Sequence, residues 1–252
     1  MKKDATRSGL RYLMVLLVLL LPFATSWASV TIVGSRIIYP STVPSVDVQL
    51  KNNDDFPYIV QTWFDDGDMR IGPENASGIP FIATPPVFRI QPKAGQVVRV
   101  VYSQSKALPH DRESVFWFNA LQVPPANIGG RQQNKVLVML RTRIKLFYRP
   151  EGIGSPGNLA KKLHVAVVRN GQKGAGIVIS NPQPWYASLS NLSVTASGVS
   201  RQLNVEMIPP FSSRTFWIPG KFSANSLNGT VIVTLVNDQG ARISERYHVA
   251  EG

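Results

Sequence analysis

The sequence predicts an all-β protein of two antiparallel sandwiches. Three observations carry this. Helical periodicity is scarce, while short apolar or alternating segments recur between Pro, Gly, Asn and Asp turns. A run with two prolines and three glycines, Arg149–Gly157, divides the chain. The blocks on either side are each near 100 residues, the size of one sandwich.

The chain opens with an export signal. Lys2, Lys3, Arg7 and Arg11 precede an apolar core, Leu13–Leu21, then Pro22 and the small residues Ser26 and Ala28. Cleavage is expected after about Ala28, giving a signal peptide over residues 1–28. The apolar core is shorter than the roughly 20 residues of a spanning helix. Removing the leader leaves a formal charge of +9, which favours acidic partners or carboxylates. The chain has no cysteine, so packing must hold the fold, and thiolate nucleophiles, thiolate metal sites and redox motifs are excluded.

In the first block, strands are expected at Val30–Ile38, Val46–Leu50, Tyr58–Phe64, Val97–Tyr102, Val115–Leu121 and Lys135–Tyr148. Val46, Val48 and Leu50 alternate with Asp47, Gln49 and Lys51, as in a strand with one buried face. In the second block they are expected at Leu163–Val168, Gly176–Ile179, Trp185–Val194, Thr215–Ile218, Thr230–Val236 and Arg242–Val249. Ala160–Val168 also fits a short helix.

The segment Lys135–Pro150 is the most informative. Val136, Val138, Leu140, Thr142 and Ile144 share one face at period two. Leu137 and Met139 make the other face apolar at first, suggesting a separate inward face, before Arg141, Arg143 and Lys145 take it over. Sheets normally blunt such edges, because apolar edge strands recruit other strands. An edge strand left adhesive, with a cationic far end, points to another polypeptide.

Other motifs fail on context. Gly152, Gly154 and Gly157 match G-x-G-x-x-G, yet Pro156 lies inside and no Asp or Glu follows before Val205. Ser103 and Lys106 match S-x-x-K without its companion motifs. Asp65, Asp66 and Asp68 around Gly67 lack the remaining ligands of a calcium loop and read as a hairpin turn. His110, His164 and His248 have no metal-ligand spacing. Arg141, Arg143 and Lys145 beside Phe147 and Tyr148 could hold single-stranded nucleic acid, but the export signal argues against it. No metal, cofactor, nucleotide or nucleic acid is expected.

Several longer stretches, in order, resemble the PapD-like periplasmic chaperones of chaperone–usher pili. They are S-R-I-I-Y-P at 35–40, P-Y-I-V-Q-T-W at 57–63, P-F-I-A-T-P-P-V-F-R-I at 80–90, P-H-D-R-E-S-V-F-W-F-N-A-L-Q-V-P-P at 109–125 and R-I-K-L-F-Y-R-P at 143–150. The second block matches more weakly, with V-N-D-Q-G at 236–240. The resemblance implies two immunoglobulin-like domains set at an angle like a boomerang, residues 29–150 and 158–252, joined by a linker over 151–157. It implies a non-enzymatic protein that caps pilus subunits by lending them a strand, as in donor-strand complementation, and delivers them to an outer-membrane usher. By motif position, Arg36 and Lys145 would bind the subunit's C-terminal carboxylate, and Val136, Val138 and Leu140 would enter its groove. Glu113, Arg149 and Asp238 would form an inter-domain charge cluster. Thr84–Pro85–Pro86 matches a turn with a cis proline, with either bond open. The cysteine-free segment 126–134 is closer to the short-loop branch, which serves rod-type pili. The alternative is an exported adhesion or ligand-binding module on the same sandwich.

Overall fold

The computed structural model describes residues 29–76, 78–126, 136–196, 198–219 and 229–249. The expected leader, the segment 127–135 with Lys135, and the last three residues lie outside this set.

Among the described residues, the first half holds nine strands: β1 Val30–Ile32, β2 Arg36–Pro40, β3 Val46–Asn52, β4 Tyr58–Asp65, β5 Phe81–Thr84, β6 Val87–Ile90, β7 Gly95–Tyr102, β8 Ser114–Val123 and β9 Leu140–Arg149. They form two sheets, ordered β1-β3-β7-β5 and β2-β9-β8-β4-β6. The described residues of the second half hold seven: β10 His164–Asn170, β11 Gly174–Asn181, β12 Leu189–Ala196, β13 Val199–Leu203, β14 Ser212–Trp217, β15 Gly229–Val236 and β16 Arg242–Val249. Their sheets are ordered β10-β11-β14 and β13-β12-β15-β16. Each half packs its own apolar core, around Val60, Val98, Phe118 and Leu146 in the first and Ile177, Ile179, Leu192 and Val233 in the second. This is the expected pair of immunoglobulin-like sandwiches.

Several expectations change in detail. Val30–Ile38 is two strands. Gly34 takes φ +97, a left-handed conformation that L side chains rarely adopt, and the chain there leaves one sheet for the other. β1 pairs antiparallel with β3, whereas β2 pairs in parallel with β9. The expected strand from Trp185 begins at Leu189, with Ala187 held outside it in a single bridge to Ile208. Ala160–Val168 divides into a 3-10 turn, Leu159–Lys162, followed by β10. The cis bond is Thr84–Pro85. Gly152, Gly154 and Gly157 all have positive φ and are followed by that 3-10 turn. Tyr102 O–H, Ser103 and Ser105 form a turn after β7, with no helix at the S-x-x-K.

The largest difference concerns Val136–Met139. These residues make no strand, and β9 starts only at Leu140, opposite Gln122. A strand exists only beside a partner. The neighbouring β8 ends at Val123 and runs into Pro124 and Pro125, which have no N–H for a ladder.

Candidate functional site: an unpaired strand edge with a cationic end

β9 is an edge over one half only. Among the described residues, Leu140–Ile144 pair with β8 alone, leaving their other side open. From Lys145 to Arg149, β2 covers that side, running parallel with Arg36 opposite Lys145 and Pro40 opposite Arg149. The open edge thus closes at the Arg36–Lys145 pair.

The even face of β9 continues into the core: Ile144 packs against it, and Leu146 and Tyr148 are buried in it. Upstream the same alternation is solvated. Val136 is 91% exposed, Val138 62% and Leu140 49%. Leu137 and Met139 are also exposed, so the inward face expected for them is absent. No strand pairs with them among the described residues. The five residues form one run of apolar side chains in water, the kind of surface that a binding partner would cover.

The odd face of β9 carries the charges. Arg36 and Lys145 are cross-strand neighbours, both half-buried. Arg36 donates from Nη1 to the Val236 carbonyl at 2.8 Å and lies over the Phe147 ring at 5.8 Å. Its Nε is buried and makes no hydrogen bond among the described residues. Burial pulls the Arg36 guanidinium below its ordinary pKa, against the pull of Asp238 and Glu113. The Lys145 ammonium is lowered by burial first, then by the charges of Arg36 and Arg143. Lys145 has no hydrogen-bond or ion-pair partner among the described residues. Two adjacent cations with spare donors, partly out of water, have the chemistry to accept an anionic group such as a carboxylate.

Further along, Glu113, Arg149 and Asp238 come together as a bridge between the halves. Arg149 donates to Glu113 Oε1 from Nε and Nη2, at 2.8 and 2.7 Å. It also donates to Asp238 Oδ2 from Nη1 at 2.8 Å and to Oδ1 from Nη2 at 3.0 Å. The other Glu113 oxygen accepts the Tyr186 backbone N–H at 2.9 Å. Burial pushes the Glu113 carboxyl up, opposed by Arg149 and the Tyr186 N–H. Burial alone would lower Arg149, but the bonds to Asp238 and Glu113 prevail and hold it above its ordinary pKa. With Arg36, Phe147 and Trp185, these groups line a cavity of about 500 Å³ between the halves, open mouth included.

Sequence reasoning missed a second polar cluster. Asp65 and Asn119 are fully buried. Asp65 accepts both Nε (2.9 Å) and Nη2 of Arg143, Asn119 Nδ2 at 2.8 Å and Gly67 N at 2.8 Å. Arg141 donates from Nε to Asn119 Oδ1 at 2.9 Å and from Nη1 to the Met69 carbonyl at 2.8 Å. The two guanidinium groups lie over Trp63 (4.8 Å) and Trp117 (4.6 Å). So Arg141 and Arg143 are bound to their own domain rather than offered to nucleic acid. Asp65 is a buried counter-ion, and Asp68 pairs with Arg70. No group of metal-ligating side chains occurs among the described residues. A signal was available: two arginines in an apolar strand require a buried acid.

Burial would raise the Asp65 carboxyl, but Arg143, Asn119 and the Gly67 N–H together hold it below its ordinary 3.8. A depressed native pKa gives stability that is present above the unfolded value and is lost as pH falls through the folded one. The first half should therefore lose stability as pH drops below about 3.8. Urea midpoints between pH 5 and 2 would show this, and Asp65→Asn should flatten that part of the profile.

Comparison with known proteins agrees with the geometry. Residues 29–154 match the family model "Pili and flagellar-assembly chaperone, PapD N-terminal domain", and residues 158–247 match "Pili assembly chaperone PapD, C-terminal domain". The chain belongs to this family of pilus assembly chaperones, whose role is not an enzymatic one. It is 41% identical over 224 residues to "Probable fimbrial chaperone YadV" of Escherichia coli K12, covering 87% of this chain and 89% of the relative. It is 36% identical over 218 residues to the chaperone protein HifB of Haemophilus influenzae, covering 85% of each. The YadV crystal structure superposes with a TM-score of 0.72 at 38% identity, covering 88% of this chain and all of that one. A chain in the Salmonella enterica complex of the SafA pilin with the SafB chaperone gives a TM-score of 0.70 at 26% identity, covering 89% and 98%.

Proposed function

We propose that this chain is a periplasmic chaperone, exported by a leader cleaved after about Ala28, that folds and caps pilus subunits and hands them to an outer-membrane usher. The subunit is an immunoglobulin-like fold lacking one strand. The chaperone supplies Val136–Leu140 to the open groove, and the subunit's terminal strand adds to the free edge of β9. Release follows by strand exchange with the next subunit and needs no nucleotide.

One observation carries this reading: the exposed apolar run leads into an open edge that closes at Arg36 and Lys145. β2 runs parallel to β9 from Arg36 onward. A strand added parallel to β9, in line with β2, therefore meets the start of β2 with its C-terminus. Its carboxylate then falls beside two cations. Charge-assisted bonds of about 1.5–3 kcal/mol each fix the end of the added strand.

Val136, Val138 and Leu140 fill the groove. Burying each contributes about 1.5–3 kcal/mol. Val138→Ser should therefore weaken subunit binding roughly ten- to a hundredfold. Because the side chain is exposed in the free protein, the variant's own stability should change by under about 0.5 kcal/mol. Titration calorimetry and urea unfolding would check the two halves of this statement. The functional test is co-purification. The tagged wild-type protein should bring small exported β-proteins from periplasmic extract, and Val138→Asp should bring none. An adhesion module would purify alone, and that result would end this reading.

A further inference from the structure

Arg141, Arg143 and Lys145 stand on one face of β9 at two-residue intervals. For an added strand this is an ambiguity. A one-residue slip turns every side chain to the wrong face, but a two-residue slip, about 6.6 Å, keeps each on its own side. Alternation of apolar residues therefore cannot reject a subunit that docks its carboxylate on Arg143 or Arg141.

The ladder shows how two of the three cations are withdrawn. Asp65, Trp117 and Lys145 lie in one row across β4, β8 and β9; Trp63, Asn119 and Arg143 lie in the next. Trp117 holds the position between Asp65 and Lys145. The Asp65 carboxylate instead takes both Nε and Nη2 of Arg143, diagonally across. Gly67, with φ +119, lets the loop after β4 turn beside the Trp117 ring, where an added Cβ would come within 3.3 Å. That loop supplies the Met69 carbonyl to Arg141, whose Nη2 also approaches Asp65 at 3.4 Å. Lys145, two residues on, has no such partner among the described residues.

The geometry points to Asp65 as the residue that sets the register of subunit capture: by holding Arg143 and Arg141, it leaves Lys145 with Arg36 as the only carboxylate anchor on the open edge among the described residues. The inference rests on the strand-addition reading above. Asp65 touches no subunit; it is a positioning residue that acts through Arg143.

The test uses a pilus subunit co-purified with the wild-type protein, in its full length and shortened by two residues at its C-terminus. In an unchanged groove register, the shortened subunit places its carboxylate at Arg143. Wild type should hold the full-length form and reject the short one by at least tenfold. Asp65→Asn should hold both to within about threefold, and Asp65→Asn/Lys145→Ala should prefer the short form. A merely structural role would weaken both forms equally. Folding is verified by circular dichroism. Should Asp65→Asn not fold, Asp65→Asn/Arg141→Gln loses a cation with the acid and so keeps the buried charge balanced, and the same acceptance of the short form is expected. A folded variant that still rejects the short subunit overturns the inference. Failure of the wild type to hold even the full-length subunit overturns the strand-addition reading, and this inference with it.

Discussion

Lys145→Ala should abolish subunit stabilisation while leaving the chaperone itself folded. The ammonium is half-buried, faces Arg36 and Arg143, and has no anionic partner among the described residues. In the free protein its charge is a burden; beside a carboxylate it becomes a bond of about 1.5–3 kcal/mol. Loss of that bond weakens the complex about ten- to 150-fold. The pH dependence carries the same sign. Burial and the neighbouring cations lower the Lys145 pKa below its ordinary 10.5. The linked stability is present above the unfolded value and is lost as pH falls through the folded one. At neutral pH the charge therefore opposes folding, and the variant should unfold at the same or a higher urea concentration than wild type. Periplasmic subunit yield and urea midpoints measure the two effects. A variant that still accumulates subunit, or that unfolds on its own, contradicts this account.

Arg149→Ala should produce the second large effect, on the bridge between domains. Glu113 is buried and takes two bonds from this guanidinium, and Asp238 takes two more from across the cleft. Removing the cation leaves Glu113 with the Tyr186 N–H and no hydrogen-bonded opposite charge, only the more distant pull of Arg36. Breaking a buried pair in this way costs about 3–5 kcal/mol. The deficit should depend on pH. Burial already pushes the Glu113 carboxyl up, and loss of Arg149 pushes it further. A raised native pKa gives stability that is present below the unfolded value and lost as pH rises through the folded one. The variant should therefore recover part of its deficit as pH falls from 7 toward the ordinary carboxyl value of 4.5. A deficit constant over that range would place the defect in packing rather than charge. Glu113→Gln keeps the shape and should cost less than Arg149→Ala.

How much of this could be read from residues alone varied with the kind of interaction. Strands with one buried face were plain: Val46, Val48 and Leu50 alternate with polar residues, and β16 has the expected bounds. β13, V-S-R-Q-L, was missed because four of its five residues are exposed and no apolar pattern marks them. Val136–Met139 has strong strand propensity, but a strand depends on its neighbour, and β8 ends before reaching it. The break at Gly34 was hidden by the apolar residues on both sides. Arg36, Lys145, Glu113, Arg149 and Asp238 are ordinary charges in one dimension. They were singled out by resemblance to a family, and their contacts span up to 200 residues of sequence. Asp65 looked like a turn residue because its partner, Arg143, lies 78 positions away.

The central claim is that Val136–Leu140 becomes a paired strand when a subunit is bound. Amide hydrogen exchange of the chaperone, alone and with a co-purified subunit, tests it most directly. Amides of residues 136–139, and those of 140–144 that face the open edge rather than β8, should change from fast to slow exchange in the complex, while those of β10 to β16 stay as they were. Protection confined to the second domain, with Val136–Leu140 still exchanging freely, would contradict the account.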